Sequence, residues 1–183
     1  MNKLGIIVDG PGDLLSIKKR YPGQYKVLKT DGPRGHCSPV CDIISKSRKQ
    51  ISMLSALKCS KAIILLDFEC RKITFIKFIK ELETEIVKHS FPIATEIVVA
   101  NTMIENWYLA DIEVLSKKKV YIKDKLKQRN YEGKHGKNEL KKLFKPKYSY
   151  SETDHGPELF TIIRERIAKE NSNSFKYFIN KLN

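Results

Sequence analysis

Short apolar runs alternate with stretches of helical periodicity along the first part of the chain. Four of these runs predict buried β-strands: residues 4–8, 25–28, 62–66 and 97–100. Apolar residues three and four apart predict helices between them, over residues 14–20, 41–57 and 73–87. Strands that alternate with helices form βαβ units. We therefore predict an α/β fold with a mostly parallel sheet of about four strands and helices on both faces.

The second part of the chain predicts helices rather than strands. We expect one helix over residues 102–111, another over 157–169 and a short one from Ser174. The predicted organisation is an α/β core over residues 1–101 and a basic α-helical extension, C-terminal to it, over residues 102–183. A chain of 183 residues fits a single compact domain that contains both parts.

Positive charge is concentrated in one segment. The formal net charge is +14, and residues 117–147, the basic segment, hold 13 Lys and Arg against 3 Asp and Glu. Tyr121, Tyr131 and Phe144 are interleaved with these charges, which is typical of a surface that contacts nucleic acid. A solvated lysine-rich helix face is the alternative interpretation. The candidate phosphate contacts are Arg34, Lys141, Lys142, Lys145 and Lys147.

The chain has no pattern of a secreted or membrane protein. Its first residues lead directly into a predicted strand, and no apolar run reaches the length of a membrane helix. We therefore expect a cytoplasmic protein without a membrane partner, whose four cysteines are reduced thiols. His36, Cys37 and Cys41 form only a partial zinc set, because no second pair has matching spacing.

Acidic residues follow two of the predicted strands. Asp9 comes directly after the first strand, and Asp67 and Glu69 come after the third. The carboxyl ends of parallel strands meet at one edge of a sheet, so we expect the three carboxylates to lie together. They would repel one another unless a cation lay between them, and hard oxygen ligands suit Mg²⁺ or Mn²⁺. Gly10 and Gly12 would let a phosphate approach backbone N–H groups at the next helix. The alternatives are a turn at Asp9 and a loop acid with a helix cap at Asp67 and Glu69.

Other candidate residues lie in the second part of the chain. Glu105 is an outer metal ligand, a water-positioning base or an acid on the surface of a packed helix. We interpret Asp111 as an ordinary residue and Trp107 as a core residue rather than a nucleobase platform. His155 either orients a phosphate, acts as acid or base, or caps a helix.

The acidic motifs resemble those of Toprim domains, which serve topoisomerases, primases and several nucleases. The resemblance is carried by residues 5–13 (GIIVDGPGD) and 65–69 (LLDFE). Asp9 stands where Glu is usual in that family, and Glu69 stands where a second Asp is usual. A narrower resemblance covers nearly the whole chain, to a Toprim-like family of bacterial domains whose function is not established. It is carried by residues 105–111 (ENWYLAD), by Leu140 to Phe144 leading to Tyr148, by His155-Gly156-Pro157 and by residues 171–175 (NSNSF).

The resemblance implies Mg²⁺-dependent phosphoryl transfer on nucleic acid, in the first instance by a nuclease of a bacterial antiviral defence system. Asp9, Asp67 and Glu69 would hold the metal, Glu105 would support a second ion, and His155 joins the catalytic candidates. Related nucleases often work beside an ATPase, and this chain has no Walker-type loop of its own. The alternative is a non-catalytic module that binds nucleic acid or an ATPase partner. A third possibility, nucleotidyl transfer as in primases, lacks a separate nucleotide-binding element.

Overall fold

Four parallel strands form the centre of the protein in a computed structural model that describes residues 3–31, 38–69 and 71–182. The strands are β1 (Lys3–Val8), β2 (Lys26–Lys29), β3 (Cys59–Asp67) and β4 (Ala94–Ala100). They lie in the order β2-β1-β3-β4, and every neighbouring pair is parallel. The predicted α/β fold with a mostly parallel sheet of about four strands is confirmed. The strand order reverses between β1 and β3, which is where open α/β sheets bind ligands.

Helices cover both faces of the sheet. The connecting helices are α1 (Pro11–Arg20), α2 (Val40–Ala56) and α3 (Phe75–Ile86). Successive side chains of a strand point to opposite faces, so β1 directs Ile6 and Val8 into one hydrophobic cluster and Ile7 into another. Ile17 of α1 packs in the first cluster, whereas α2 and α3 pack in the second through residues such as Phe78. Two buried layers therefore hold the strand ends rigidly.

The residues after β4 form shorter helices than the sequence predicts. They are α4 (Glu105–Leu109), α5 (Ile112–Lys118), α6 (Gly136–Leu143), α7 (His155–Ile162), α8 (Glu165–Asn171) and α9 (Asn173–Leu182). The single helix predicted over residues 157–169 is wrong, because Arg164 is extended there, with φ −80° and ψ 117°. The Arg164 backbone N–H and guanidinium donate three hydrogen bonds of 2.7 to 2.9 Å to the fully buried carboxylate of Asp111. This contact joins the break between α7 and α8 to Asp111, the residue between α4 and α5.

The helical extension shares the first hydrophobic cluster with the sheet. Trp107 is fully buried, with its ring centroid 4.9 Å from Phe178 and 5.5 Å from Phe175. Its Nε1–H donates to Ser174 Oγ at 2.9 Å. The interpretation of Trp107 as a core residue is therefore confirmed. Within the described ranges, no helix has the length and apolar character needed to cross a membrane.

Candidate functional site

Three predicted acidic residues meet where the strand order reverses. Asp9 follows β1, Asp67 is the last residue of β3, and Glu69 follows two positions later. All three line one pocket at the carboxyl edge of the sheet. The backbone is unusual at this edge, because Glu69 has φ +54° and donates its N–H to Thr102, which has φ +72°. Left-handed conformations are costly for residues other than glycine and concentrate at functional sites.

Two further acids extend this group. Asp13 lies in the first turn of α1, where its Oδ2 accepts the Gly10 N–H at 3.1 Å, and Glu105 begins α4 with only 2% of its surface exposed. Burial raises the pKa of Asp67 well above its usual value, and the charges of Asp13, Glu105 and Glu69 raise it further. The charge of Asp9 likewise raises the pKa of Asp13. We call these five residues the carboxylate cluster: Asp9, Asp13, Asp67, Glu69 and Glu105.

Asp13 accepts a hydrogen bond from the N-cap residue of α1 and also belongs to the carboxylate cluster. Sequence reasoning missed its place in the cluster, although its position in the first turn of the helix after Asp9 was a signal for it. Burial raises the pKa of Asp13 to about 6, partly offset by its hydrogen bond from Gly10 and the charge of Lys137. A buried acid beside other acids holds a proton more tightly than an exposed one.

Lys137 brings a positive charge to the carboxylate cluster. It lies in the first turn of α6, and its Nζ is 3.0 Å from Glu152 Oε1. Burial alone would lower the pKa of Lys137, but the charges of Glu105, Glu152 and Asp67 outweigh burial and raise it. Sequence reasoning missed Lys137 and Glu152, because they are remote from the acidic motifs in the chain and unremarkable among 35 basic residues.

Glu105 has the least satisfied side chain of the cluster. Its Oε1 accepts the Tyr150 hydroxyl at 3.0 Å, whereas its Oε2 is buried without a hydrogen-bond partner among the residues that the structure describes. Burial raises the pKa of Glu105 to about 7, Lys137 opposes this, and Asp13 adds to it. A buried acceptor oxygen without a donor is suited to a proton or a cation.

Glycines allow the helical extension to approach the cluster closely. A side chain at Gly12 would lie 3.1 Å from Glu152 Cβ, and one at Gly136 would lie 3.0 Å from Glu105 Cβ. Gly12 is buried. Its burial supports a role in close packing rather than the predicted role, in which a phosphate approaches the backbone here. Gly10 is the N-cap of α1 and is only partly buried.

His155 lies beside the cluster rather than in it. Its Nδ1 accepts the Ser151 N–H at 3.0 Å, and its ring packs edge-on against Tyr121 and Phe144, with centroids 4.8 and 5.0 Å away. No hydrogen bond or ion pair joins His155 to the carboxylate cluster in the described part of the chain. The contacts position the loop that carries Tyr150, so His155 stabilises the site from outside.

The predicted phosphate contacts lie on and after α6. Lys141, Lys142 and Lys147 are exposed, and Lys145 is partly exposed. Lys142 pairs with Glu139 and Lys145 with Asp124, at 2.6 and 3.2 Å. Surface pairs of this kind are weak enough to exchange for phosphate.

The aromatic residues of the basic segment do not form a stacking surface. Tyr131 and Phe144 are buried, at 2% and 5% exposure, and the predicted interleaving of exposed aromatic and basic side chains is wrong for both. Tyr121 is half-buried, and its hydroxyl donates to Glu158 at 3.1 Å. Any contact with nucleic acid at this surface therefore depends on basic rather than aromatic side chains.

Some predicted residues lie outside the described part of the chain. These are Arg34, His36, Cys37 and Cys70, whose assignments stay predictions. Cys41 and Cys59 are free thiols, as expected.

The donor chemistry of the cluster fits a hard divalent cation. The ligands would be carboxylate oxygens, and Glu105 Oε2 is a buried oxygen without a donor. Within the described ranges, no three His, Cys, Asp or Glu side chains already form a metal-binding group. A bound ion would therefore require the carboxylates to move closer together. Comparisons with models of protein families, with curated proteins and with solved structures gave no significant match.

Proposed function

We propose that this chain is a metal-dependent nuclease of the Toprim type that hydrolyses phosphodiester bonds in nucleic acid. The observation that carries the proposal is the carboxylate cluster at the reversal of strand order, with the unpartnered Oε2 of Glu105 inside it. Burial raises the pKa of Asp13 to about 6 and of Glu105 to about 7, and repulsion from neighbouring acids adds to both shifts. Such strain favours the binding of a cation.

Asp9, Asp67 and Glu69 are the residues that would hold Mg²⁺ or Mn²⁺, with Glu105 next to them. The ion would neutralise a phosphate and lower the pKa of a water molecule. Glu105 is suited to accept a proton at Oε2, because its pKa of about 7 lies near physiological pH. The Tyr150 hydroxyl holds Oε1 of Glu105 and leaves Oε2 as the reactive oxygen. The Lys137 ammonium offers a positive charge for the scissile phosphate.

The basic segment would hold the nucleic-acid backbone without reading its sequence. α6 links the two functions, since it carries Lys137 to the cluster and Lys141 and Lys142 to the surface. Replacement of Lys141, Lys142, Lys145 and Lys147 by Gln should weaken binding and flatten its dependence on salt, because fewer counterions are released. Fluorescence anisotropy at several salt concentrations measures both effects. Unchanged affinity and slope would place the binding surface elsewhere.

A second candidate is a non-catalytic module that binds nucleic acid or a protein partner. The observation that favours it is the position of Lys137, which supplies the cluster with a positive charge of its own and pairs with Glu152 at 3.0 Å. A resident ammonium can replace a metal ion in balancing buried acids. An ATPase partner and a role in antiviral defence belong to the proposal by resemblance alone. The cytoplasmic location predicted from the sequence also stays a proposal.

Asp67→Asn tests the proposal. Oδ1 of Asp67 accepts the Ile104 N–H at 3.0 Å, and an asparagine oxygen can accept the same bond, so the fold should survive. We expect the wild type to cleave single- or double-stranded DNA or RNA with Mg²⁺ or Mn²⁺, and the variant to lose about a hundred-fold or more in rate. Nucleic-acid affinity should stay similar.

Glu170→Gln is the control, because Glu170 is an exposed carboxylate of α8 that belongs neither to the carboxylate cluster nor to the basic segment. It should cleave like the wild type. Equal cleavage by wild type and Asp67→Asn would place the active site elsewhere. Absence of cleavage of every substrate by the wild type, together with salt-sensitive binding, would favour the non-catalytic module.

A further inference from the structure

β4 leaves one side of the sheet open. It pairs with β3 along its whole length, and no strand pairs with its other side in the part of the chain that the structure describes. Alternate residues of an edge strand direct their N–H and C=O groups outward, where they can bind another extended chain. The open edge is the side of β4 that faces away from β3, whereas the carboxylate cluster lies where β1 and β3 end.

A groove of about 670 Å³ runs along β4 between α3 and α9. Its apolar wall includes Ile79 and Ile86 of α3, Ile97 of β4 and Tyr177 of α9. Val87 at its rim is 79% exposed, and Tyr177 is 45% exposed. Apolar side chains that gather beside an open strand edge are typical of an interaction surface.

The charge of the groove is opposite to that of the protein. Three glutamates and one lysine line it: Glu83, Glu96, Glu132 and Lys181. Glu96 is paired with both Lys61 and Lys181, at 3.2 Å each. In the described residues, no basic side chain lies within ion-pair distance of Glu83 or Glu132. Glu132 instead accepts hydrogen bonds from Ser172, Ser174 and Asn101. In a chain of net charge +14, this groove favours a basic ligand.

We propose that the groove binds an extended segment of a partner protein, which adds a strand to the sheet along β4. The segment carries apolar side chains at alternate positions, which enter the groove, and Lys or Arg near Glu83 and Glu132. Backbone hydrogen bonds to β4 supply affinity, while the apolar and charged contacts supply specificity. A second copy of this chain fits less well, since a symmetric pairing would set the same acidic groove against itself. A polyanion would be repelled.

Selection from random displayed peptides tests the proposal without a known partner. Peptides of about twelve residues, long enough to span β4, are selected on the immobilised full-length chain. We expect enriched peptides that alternate apolar residues with polar ones and contain Lys or Arg. Synthetic copies of them should bind by fluorescence anisotropy. Hydrogen exchange should slow at those β4 amides that face away from β3 when the peptides bind, because only these amides gain partners.

Glu83→Lys should weaken binding of these peptides about ten-fold, the equivalent of ~1.4 kcal/mol. Glu83 is exposed and without an ion pair in the described residues, so the variant should fold normally. Glu81→Lys, an exposed glutamate of the same helix outside the groove, is the control and should bind like the wild type. Tyr177→Ala should also weaken binding, whereas Tyr148→Ala, which removes an exposed aromatic ring elsewhere, should not.

Three results would overturn the proposal. One is a selection that enriches no peptide family, or only acidic or proline-rich ones. Another is equal peptide binding by Glu83→Lys and the wild type. The third is a wild type that is a dimer in analytical ultracentrifugation and a Tyr177→Ala variant that is a monomer. A second copy of the chain would then occupy the groove. None of these results depends on nuclease activity.

Discussion

Glu105→Gln should make the protein more stable at alkaline pH. The pKa of Glu105 is about 7 in the folded protein against 4.5 for an ordinary glutamate, so the folded state prefers the protonated form. The contribution of Glu105 to wild-type stability is therefore most favourable below pH 4.5. It is lost as the pH rises through about 7. At ~1.4 kcal/mol for each pKa unit, the full effect is about 3 kcal/mol.

Glutamine removes this penalty because it cannot ionise. Its amide oxygen can still accept the Tyr150 hydroxyl, which lies 3.0 Å from Oε1 of Glu105. The variant should therefore match the wild type near pH 5 and exceed its free energy of unfolding by about 2 to 3 kcal/mol near pH 8. The gain comes first from the burial of the Glu105 charge, which is only 2% exposed, and then from the neighbouring charge of Asp13.

Urea unfolding at pH 5, 6, 7 and 8 measures the effect, with free energies from linear extrapolation. Glu170→Gln, which alters an exposed carboxylate paired with Arg166, should shift stability little at any of these values. Mg²⁺ at pH 8 should stabilise the wild type more than Glu105→Gln if a cation relieves the same repulsion. A stability difference that stays constant from pH 5 to pH 8, or a variant less stable at pH 8, would refute the reasoning.

Two further changes probe how the helical extension is attached to the site. In Gly136→Ala, the new Cβ would lie 2.7 Å from Asn106 Oδ1, so α6 must shift. The free energy of unfolding should decrease by about 1–3 kcal/mol. The cleavage rate should also fall, because Lys137 moves with α6. If Gly136→Ala melted and cleaved like the wild type, the close approach of α6 to Asn106 would not be required. Asp111→Ala removes the acceptor for three hydrogen bonds from Arg164 and should destabilise the protein by about 2–4 kcal/mol in urea unfolding. A loss under 1 kcal/mol would mean that other contacts hold the helix break.

The sequence by itself determined the sheet and its acidic edge. Apolar runs of strand length, separated by helical periodicity, are local patterns that reflect burial on both faces, so they identify the strands in advance. Asp9 and Asp67 could be placed at one edge because parallel strands end on the same side, whatever the details of packing. The core position of Trp107 followed from its apolar neighbours in the same way.

Only the tertiary structure decided which other residues join these acids. Lys137 and Tyr150 are more than a hundred residues from Asp9 along the chain, and a single sequence carries no signal for a contact at that separation. The break at Arg164 was equally hidden, because the chain has no local helix breaker there and Arg164 bonds to Asp111, 53 residues away. Local periodicity records where a side chain is buried, whereas its partner is chosen by packing between elements that meet only in the folded protein.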